Sequence, residues 1–364
     1  MEVKLMIPQH GGRRLSEGAY GCIFTPPLIC RGEKGPRGGW KNGKLGKITD
    51  KDDIKGELVA AKVFSKKPEA KKYLILPEIP SLCVPAPIAE QKETHFNRCD
   101  ILKKQSYDDM LHYEVEYGGI TVHKSLDDIS LIVNDFQFST FMGDMLEIGA
   151  YITLSGFIHN DLHGNNILVN KKYHPRLIDF GRSYFANAIN QETIDMLMGM
   201  TYAPNLSQVP PEISIQDGLD DGLSLKKIMQ DIQREKPGLR DAERILGVSR
   251  DREILELSNF WKTSKSIQQG DWIRFFQLYW PVVDSWAIGS ILIGAVRKLS
   301  ISKQFTEGND WKQHQGIIKT VLKGLLKASP RQRLDCVQAL ALYDPMNAVV
   351  LSASGKAWLQ QKKS

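Results

Sequence analysis

Residues 157–170 read FIHNDLHGNNILVN, and the interpretation of the whole chain depends on this stretch. Three polar side chains, His159, Asp161 and Asn166, stand close together here between two apolar runs. On its own the cluster is weak evidence, because a polar turn that precedes a strand has a similar composition. Residues farther along the chain are needed to distinguish a catalytic loop from a surface turn.

A second acidic motif lies downstream of this stretch. The residues LIDFG read as a short apolar strand that ends at Asp179 and is followed by a glycine. Phosphoryl transfer from ATP needs a carboxylate that holds the acceptor hydroxyl, together with an aspartate and an amide oxygen that hold magnesium against the phosphates. We therefore predict that Asp161 orients the acceptor hydroxyl and accepts its proton, that Asn166 and Asp179 bind Mg²⁺, and that His159 props the loop.

A glycine turn near the start of the chain supplies a possible phosphate-binding element. In LSEGAYGCIF, residues 15–24, Gly18 and Gly21 flank a turn between two strand-like runs, where backbone amides could cover phosphates. One glycine of the usual three is replaced by Ser16. A glycine turn alone is more often an ordinary hairpin, so its weight comes from the motifs that accompany it.

With these motifs in view, the chain resembles the eukaryotic-type serine/threonine protein kinases from residue 15 to about residue 340. Four segments resemble, in order, the hinge, the end of the activation segment, the central helix of the large lobe and the region near the end of the domain that carries a structural arginine. They are YEVEYGG, VPPEI, DSWAIGSIL and SPRQRLDCVQAL. The glycine loop, the PxxxC after it and the long gap before DSWAIG are most similar to the kinases of large DNA viruses. The resemblance implies ATP-dependent phosphorylation of serine and threonine hydroxyls on protein substrates, with ATP and Mg²⁺ as cofactors.

The resemblance also implies a fold. We expect an α+β, bilobal, protein-kinase-like structure, in which a small antiparallel sheet with one main helix precedes a larger helical lobe. The N-lobe would span residues 1–117 and carry a basic, glycine-rich insertion at 31–46. The C-lobe would span residues 118–364 and carry an insertion at about 213–270.

Four further residues receive roles from the resemblance. In the hinge-like segment, Glu116 and Gly118 would present backbone groups to adenine. In the helical lobe, Glu212 and Arg333 would form a buried ion pair, which is a structural device and not part of the chemistry.

Two lysines compete for the role of phosphate-binding lysine. LVAAKVF places Lys62 in a string that resembles the family's strand signature, whereas LGKIT places Lys47 on a short strand before a segment with helical periodicity. In that helix Glu57 would orient Lys47. We favour Lys47 with Glu57, because the residues around Lys62 are also ordinary helix formers, and we keep Lys62 as the alternative.

Two residues of the stretch 157–170 differ from the family pattern. Asn160 stands where the arginine before the catalytic aspartate is usual, so we predict activity without phosphorylation of the activation segment. His163 stands where a lysine is usual, and DLH is similar to small-molecule kinases of the aminoglycoside and choline type. Those enzymes are therefore one alternative, and an ATP-binding pseudokinase scaffold is another.

Composition limits the class of protein. The chain has 364 residues, of which 42% are hydrophobic and 25% charged, as in globular proteins with a sizeable core. Its longest apolar segment, WAIGSILIGAV, is too short to cross a bilayer, so no membrane span is expected. The net charge of +6 is too small and dispersed to indicate specific nucleic-acid binding. We expect a monomer.

The cysteines predict a reducing environment. They are five in number, scattered and without CxxC or CxxH spacing, so neither a disulfide frame nor a zinc site is indicated. We expect an intracellular, reducing compartment, and the host cytoplasm or the virion if the viral resemblance holds. The five cysteines are Cys22, Cys30, Cys83, Cys99 and Cys336.

Overall fold

The structure is a computed structural model. It describes residues 13–18, 21–35, 43–51, 54–91, 99–101, 106–127, 136–198 and 201–362. The fold is mixed α+β and 56% helical, with a small antiparallel sheet in the N-terminal region and a larger helical C-terminal part. The chain divides into two compact units, of which the first comprises Met1–Gly119 with Arg176–Ser183 and the second comprises Ile120–Pro175 with Tyr184–Ser364.

The first unit is built on a five-stranded antiparallel sheet with the strand order β1-β2-β3-β5-β4. Two helices follow β3, and short 3₁₀ turns lie at Ile88–Glu90 and Tyr107–Asp109. The strands are β1 (Arg13–Gly18), β2 (Gly21–Thr25), β3 (Lys44–Asp50), β4 (Glu78–Cys83) and β5 (Met110–Glu116), and the helices are α1 (Ile54–Phe64) and α2 (Ala70–Tyr73).

Alternation along β2 explains which face of the sheet is buried. Cys22 and Phe24 are fully buried and share one face, as the two-residue period of a strand requires. They pack in a cluster with Leu28, Ile48, Cys99 and Met110. Part of the predicted basic insertion, residues 36–42, lies outside the described residues, whereas its last residues form the beginning of β3.

Two disulfide bonds tie this unit together, so the prediction that no disulfide frame is present is wrong. Cys22 is bonded to Cys99 and Cys30 to Cys83, while Cys336 is free and buried. The partners are 77 and 53 residues apart in sequence, so the fold of the unit brings them together. Disulfides persist in oxidising environments, which does not fit the predicted reducing compartment.

A buried histidine lies beside the second disulfide. Nε2 of His112, on β5, accepts a hydrogen bond from the Leu28 amide at 3.2 Å, and Nδ1 lies 3.6 Å from Cys83 Sγ. The neighbouring strand makes room for the ring, because a Cβ at Gly46 would lie 2.3 Å from Nε2. Desolvation by burial lowers the pKa of His112 to about 3.

This burial predicts a pH dependence of stability. The folded pKa of His112 is about 3, below the ordinary histidine pKa of 6.5, so the unfolded chain binds a proton first as the pH falls, and stability is lost below about pH 6.5. Between about pH 7.5 and about pH 5 we expect the wild-type chain to lose about 2 kcal/mol more than His112→Gln. Urea unfolding across this range measures the difference, and equal slopes would contradict the account.

The second unit is predominantly helical and also contains short strand pairs. Strand β6 (Ile120–Thr121) pairs with β8 (Ile167–Val169), and β7 (Phe157–Ile158) pairs with β10 (Tyr184–Phe185). A further strand, β9, spans Pro175–Leu177. The described residues form α3 (Val122–Asp127), α4 (Phe138–Leu154), α5 (Gln191–Met198), α6 (Pro211–Asp220), α7 (Leu225–Glu235), α8 (Pro237–Leu246), α9 (Arg250–Thr263), α10 (Lys265–Gln268), α11 (Trp272–Tyr279), α12 (Val283–Leu299), α13 (Lys303–Thr306), α14 (Asn309–Leu325), α15 (Cys336–Tyr343), α16 (Ala348–Leu351) and α17 (Ala353–Gln361).

The predicted insertion at about 213–270 is a set of packed helices. Side chains of Ser224 and Ser249 cap the N-termini of α7 and α9, and Gly247 ends α8 in the left-handed region with φ 68°. The apolar stripe of α7 is buried at Ile228 and Ile232, as its helical spacing predicts. The insertion therefore contributes to the core of the second unit.

One helical run of the described residues, Trp272–Leu299, is long and apolar enough to cross a membrane. Of its most apolar window, 78% is buried inside the fold, as in the core helix of a globular protein. This agrees with the expectation that the chain has no membrane span.

Candidate active site

The first unit brings a lysine together with two carboxylates. Lys47 lies on β3, flanked in the sheet by Ile23 of β2 and Tyr113 of β5. Its Nζ is 2.8 Å from Glu57 Oε1 and 3.0 Å from Asp179 Oδ1. The side chain of Lys47 is 13% exposed and that of Glu57 is 4% exposed, so this ion pair is shielded from bulk water, whereas the Asp179 side chain is 26% exposed.

Electrostatics keep this lysine charged. Burial disfavours the ammonium form, but the nearby groups of Glu57, Tyr113 and Asp179 outweigh burial, and the pKa of Lys47 is raised well above its usual value. A charged amine between two carboxylates is suited to binding an anionic ligand such as a phosphate.

The sequence of α1 explains how Glu57 reaches this position. The buried face of the helix carries Ile54, Ala60, Ala61 and Phe64, and Glu57 lies among them. A carboxylate on an apolar face needs a partner, and Lys47 supplies it. The helix comes close to the Asp179 turn, because a Cβ at Gly56 would lie 2.2 Å from the Phe180 carbonyl oxygen.

The backbone at Asp179 is in a conformation that few non-glycine residues adopt. Its φ is 66°, in the left-handed region, which costs free energy and is common at functional sites. This turn fixes the carboxylate that contacts Lys47. The competing lysine lies elsewhere, since Lys62 is exposed in the last turn of α1.

The remaining predicted residues of this unit lie at its strand ends. Gly18 and Gly21 are paired across the β1–β2 turn, whose residues 19–20 lie outside the described part of the chain. Glu116 ends β5, and its exposed carboxylate accepts two hydrogen bonds of 3.2 Å from Arg176. Gly118 is buried in the segment that follows.

The second unit carries the other predicted cluster in the loop between β7 and β8. Asn166 Nδ2 donates to the Asp161 carbonyl oxygen at 2.9 Å and to Asp161 Oδ2 at 3.3 Å. These bonds engage the amide nitrogen and leave the amide oxygen as the acceptor that a cation could use. The loop thus fixes its carboxylate and its amide relative to each other.

His163 also faces the loop carboxylate. Its Nε2 lies 3.7 Å from Asp161 Oδ2, and its Nδ1 accepts a hydrogen bond from the Asn165 amide at 3.2 Å. Because Nδ1 is an acceptor, the neutral ring carries its proton on Nε2, on the side of Asp161. The His163 ring therefore lies beside the Asp161 carboxylate, where both side chains can contact the same ligand.

An aspartate that we did not assign a role from the sequence holds this loop. Asp284, in the first turn of α12, accepts hydrogen bonds from the backbone amides of His159 at 2.7 Å and Asn160 at 2.9 Å. Burial raises the pKa of Asp284, and the two amides and His159 oppose that shift. In the sequence, Asp284 stands out as a single acidic residue at the start of an apolar helix. Asn160 itself has φ 63°, which an asparagine tolerates.

The predicted ion pair between Glu212 and Arg333 is present. Both nitrogen–oxygen distances are 2.7 Å, and both side chains are essentially unexposed. Arg333 also donates to the carbonyl oxygens of Lys327, Val282 and Ala328. The bidentate pair joins the start of α6 to the segment before α15.

No family model matches the chain.

Proposed function

We propose that this protein transfers the γ-phosphoryl group of ATP to serine and threonine hydroxyls of protein substrates. The observation that carries the proposal is the contact of Lys47 with Glu57 and Asp179 in the first unit, in which Glu57 is buried and the other two are partly buried. A lysine oriented by a helix glutamate and an aspartate in a strained turn after a strand is the arrangement that protein kinases use for ATP phosphates and Mg²⁺. The sheet-rich and helical units are compatible with the bilobal layout of such enzymes.

The donor atoms suit the proposed cofactor. Asp179 offers carboxylate oxygens and Asn166 an amide oxygen, and Mg²⁺ prefers oxygen ligands. When bound, Mg²⁺ would neutralise charge on the phosphates of ATP. The residues of the chain would perform the remaining roles. Lys47 would bind phosphate oxygens, and the backbone around Gly18 and Gly21 would cover the phosphates. Asp161 would hold the acceptor hydroxyl and accept its proton.

One observation favours a second candidate, a small-molecule kinase. His163 lies 3.7 Å from the Asp161 carboxylate, in the position where protein kinases usually place a lysine. The buried ion pair of Glu212 and Arg333 argues against a small-molecule kinase, because Glu212 lies in the segment that resembles the end of a protein-kinase activation segment. We therefore propose a protein acceptor.

A competition between acceptors separates these proposals. Purified protein with Mg²⁺ and radiolabelled ATP is offered a serine/threonine peptide array, and in parallel aminoglycosides and choline. We expect label on peptides and loss of labelling when EDTA removes the metal. Labelling of the small molecules alone would replace the proposal by the second candidate. ATP binding without transfer to any acceptor would indicate a pseudokinase scaffold.

The choice of lysine makes its own prediction. Lys47→Met removes the cation between Glu57 and Asp179, so we expect turnover to fall at least about 100-fold. Lys62→Met alters an exposed helix position and is expected to change turnover by less than about 2-fold. Steady-state peptide phosphorylation compares the two variants. Full activity of the Lys47 variant would contradict the assignment.

A further inference from the structure

A fully buried lysine of the inserted helices contacts the segment before α6. Lys236 has no exposed surface. Its Nζ donates to the carbonyl oxygens of Leu206 at 3.2 Å and Val209 at 3.1 Å, and to Ser214 Oγ at 2.8 Å. Burying an ammonium group is costly unless it is fully hydrogen-bonded, and the three acceptors match its three N–H groups.

The segment that Lys236 contacts has few backbone partners of its own. Residues 201–210 form turns and bends and no regular secondary structure, and Pro210 and Pro211 lack backbone N–H groups. Buried carbonyl groups in such a segment need donors from elsewhere. Lys236 supplies donors to two of them, and Trp286 Nε1 donates to the Ser207 carbonyl oxygen at 3.0 Å.

The lysine is held rigidly from its own side. Lys236 is the residue at which α7 ends and α8 begins, and its amide donates to Ile232 while its carbonyl accepts from Arg240. Helix α8 then packs closely on α12, because a Cβ at Gly238 would lie 2.9 Å from Ser290 Oγ and 3.1 Å from Trp286. The ammonium group is therefore presented from a fixed backbone.

Either protonation state of the amine fits this site. Burial lowers the pKa of Lys236 to about 7, opposed by the carboxylates of Glu212 and Asp217 and assisted by Arg333. The ammonium form donates to all three acceptors. The neutral amine donates to two carbonyl groups and accepts from the hydroxyl of Ser214.

We propose that Lys236 is a positioning residue that holds the segment 206–214 in the arrangement needed to dock a protein substrate. This inference rests on the proposed function, since the segment resembles the end of a kinase activation segment. It also gives the insertion a role, because a buried amine contributed by the inserted helices orders the segment by hydrogen bonds, without phosphorylation. That fits Asn160, which offers no charge to a phosphorylated residue.

The first test does not require catalytic activity. Hydrogen exchange of the 201–214 amides is compared in the wild-type chain, Lys236→Met and the control Lys226→Met, which alters an exposed lysine on α7. We expect exchange in this segment to accelerate at least about 10-fold in Lys236→Met only. Unchanged exchange in Lys236→Met would overturn the proposal. If that variant does not fold, Ser214→Ala, which removes one of the three acceptors, should show a smaller acceleration in the same peptides, and none would likewise overturn it.

The second test separates positioning from general damage. In Lys236→Met we expect the peptide KM to rise at least about 10-fold, while the ATP KM changes less than about 2-fold. Equal rises in both constants would contradict a role in substrate docking. Phosphatase-treated wild-type protein should retain its peptide KM, and loss of peptide binding on dephosphorylation would also overturn the proposal. If the wild-type chain transfers no phosphate at all, the proposed function fails, whereas the exchange result still decides whether Lys236 orders the segment.

Discussion

Phosphoryl transfer is expected to fall about 1,000-fold when Asp161 is replaced by asparagine. Catalysis by a general base contributes about 10²- to 10⁴-fold, and an amide cannot accept the proton of the acceptor hydroxyl. The substitution is nearly isosteric, and the contact of Asn166 with the Asp161 backbone carbonyl, at 2.9 Å, does not depend on the carboxylate. The loop should therefore keep its structure while its chemistry is lost.

A matched control comes from a second aspartate of the same unit. Asp144 lies 2.6 Å from His174 Nδ1, so it also combines a carboxylate with a histidine, but it stands outside the proposed site. Asp144→Asn should leave turnover within about 2-fold of wild type. Single-turnover peptide labelling under saturating ATP compares the variants. A rate for Asp161→Asn within 10-fold of wild type would be well short of the loss of at least about 10²-fold expected for a general base, and would remove Asp161 from that role.

Arg333→Met is expected to lower the free energy of unfolding by about 3–5 kcal/mol. The substitution strips Glu212 of two charge-assisted hydrogen bonds of 2.7 Å and leaves a buried carboxylate without its cation. It also removes the guanidinium group, which lies 5.0 Å from the centre of the Trp286 ring. Urea denaturation measures the loss as a shift in midpoint at constant slope.

Two further variants make this test specific. Replacing both partners by leucine should cost less than Arg333→Met alone, because no buried charge is then left unpaired. Arg250→Met breaks a partly exposed pair with Glu243, 2.7 Å apart, and is expected to cost at most about 1 kcal/mol. Equal losses for Arg333→Met and Arg250→Met would show that the buried pair has no special role in stability.

Residues with strong local signals were predictable from the sequence. The strand around Lys47 and the helix that carries Glu57 follow from apolar periodicity, and the structure contains both elements. The helical character of α7 follows from the spacing of Ile228 and Ile232. These predictions depend only on residues that are close together in the sequence.

Long-range pairings were not predictable in the same way. Cys22 and Cys99 meet because the fold of the first unit brings together segments 77 residues apart, and no spacing rule in the sequence encodes that pairing. Lys236 reads as an ordinary exposed lysine between two helices, because its burial depends on the packing of α8 against α12. Asp284 was visible in its motif, but its hydrogen bonds to the loop required the fold.

Phosphoryl transfer from magnesium ATP to protein hydroxyl groups is the activity that we propose for this chain. The most direct measurement incubates the purified wild-type chain and Asp179→Asn with Mg²⁺, γ-labelled ATP and a serine/threonine peptide, and identifies the labelled residue by mass spectrometry. We expect phosphoserine or phosphothreonine with the wild-type chain, and at least about a 100-fold slower reaction with Asp179→Asn. Folded wild-type protein that binds ATP and transfers no phosphate to any peptide, or an Asp179 variant as active as wild type, would contradict the proposal.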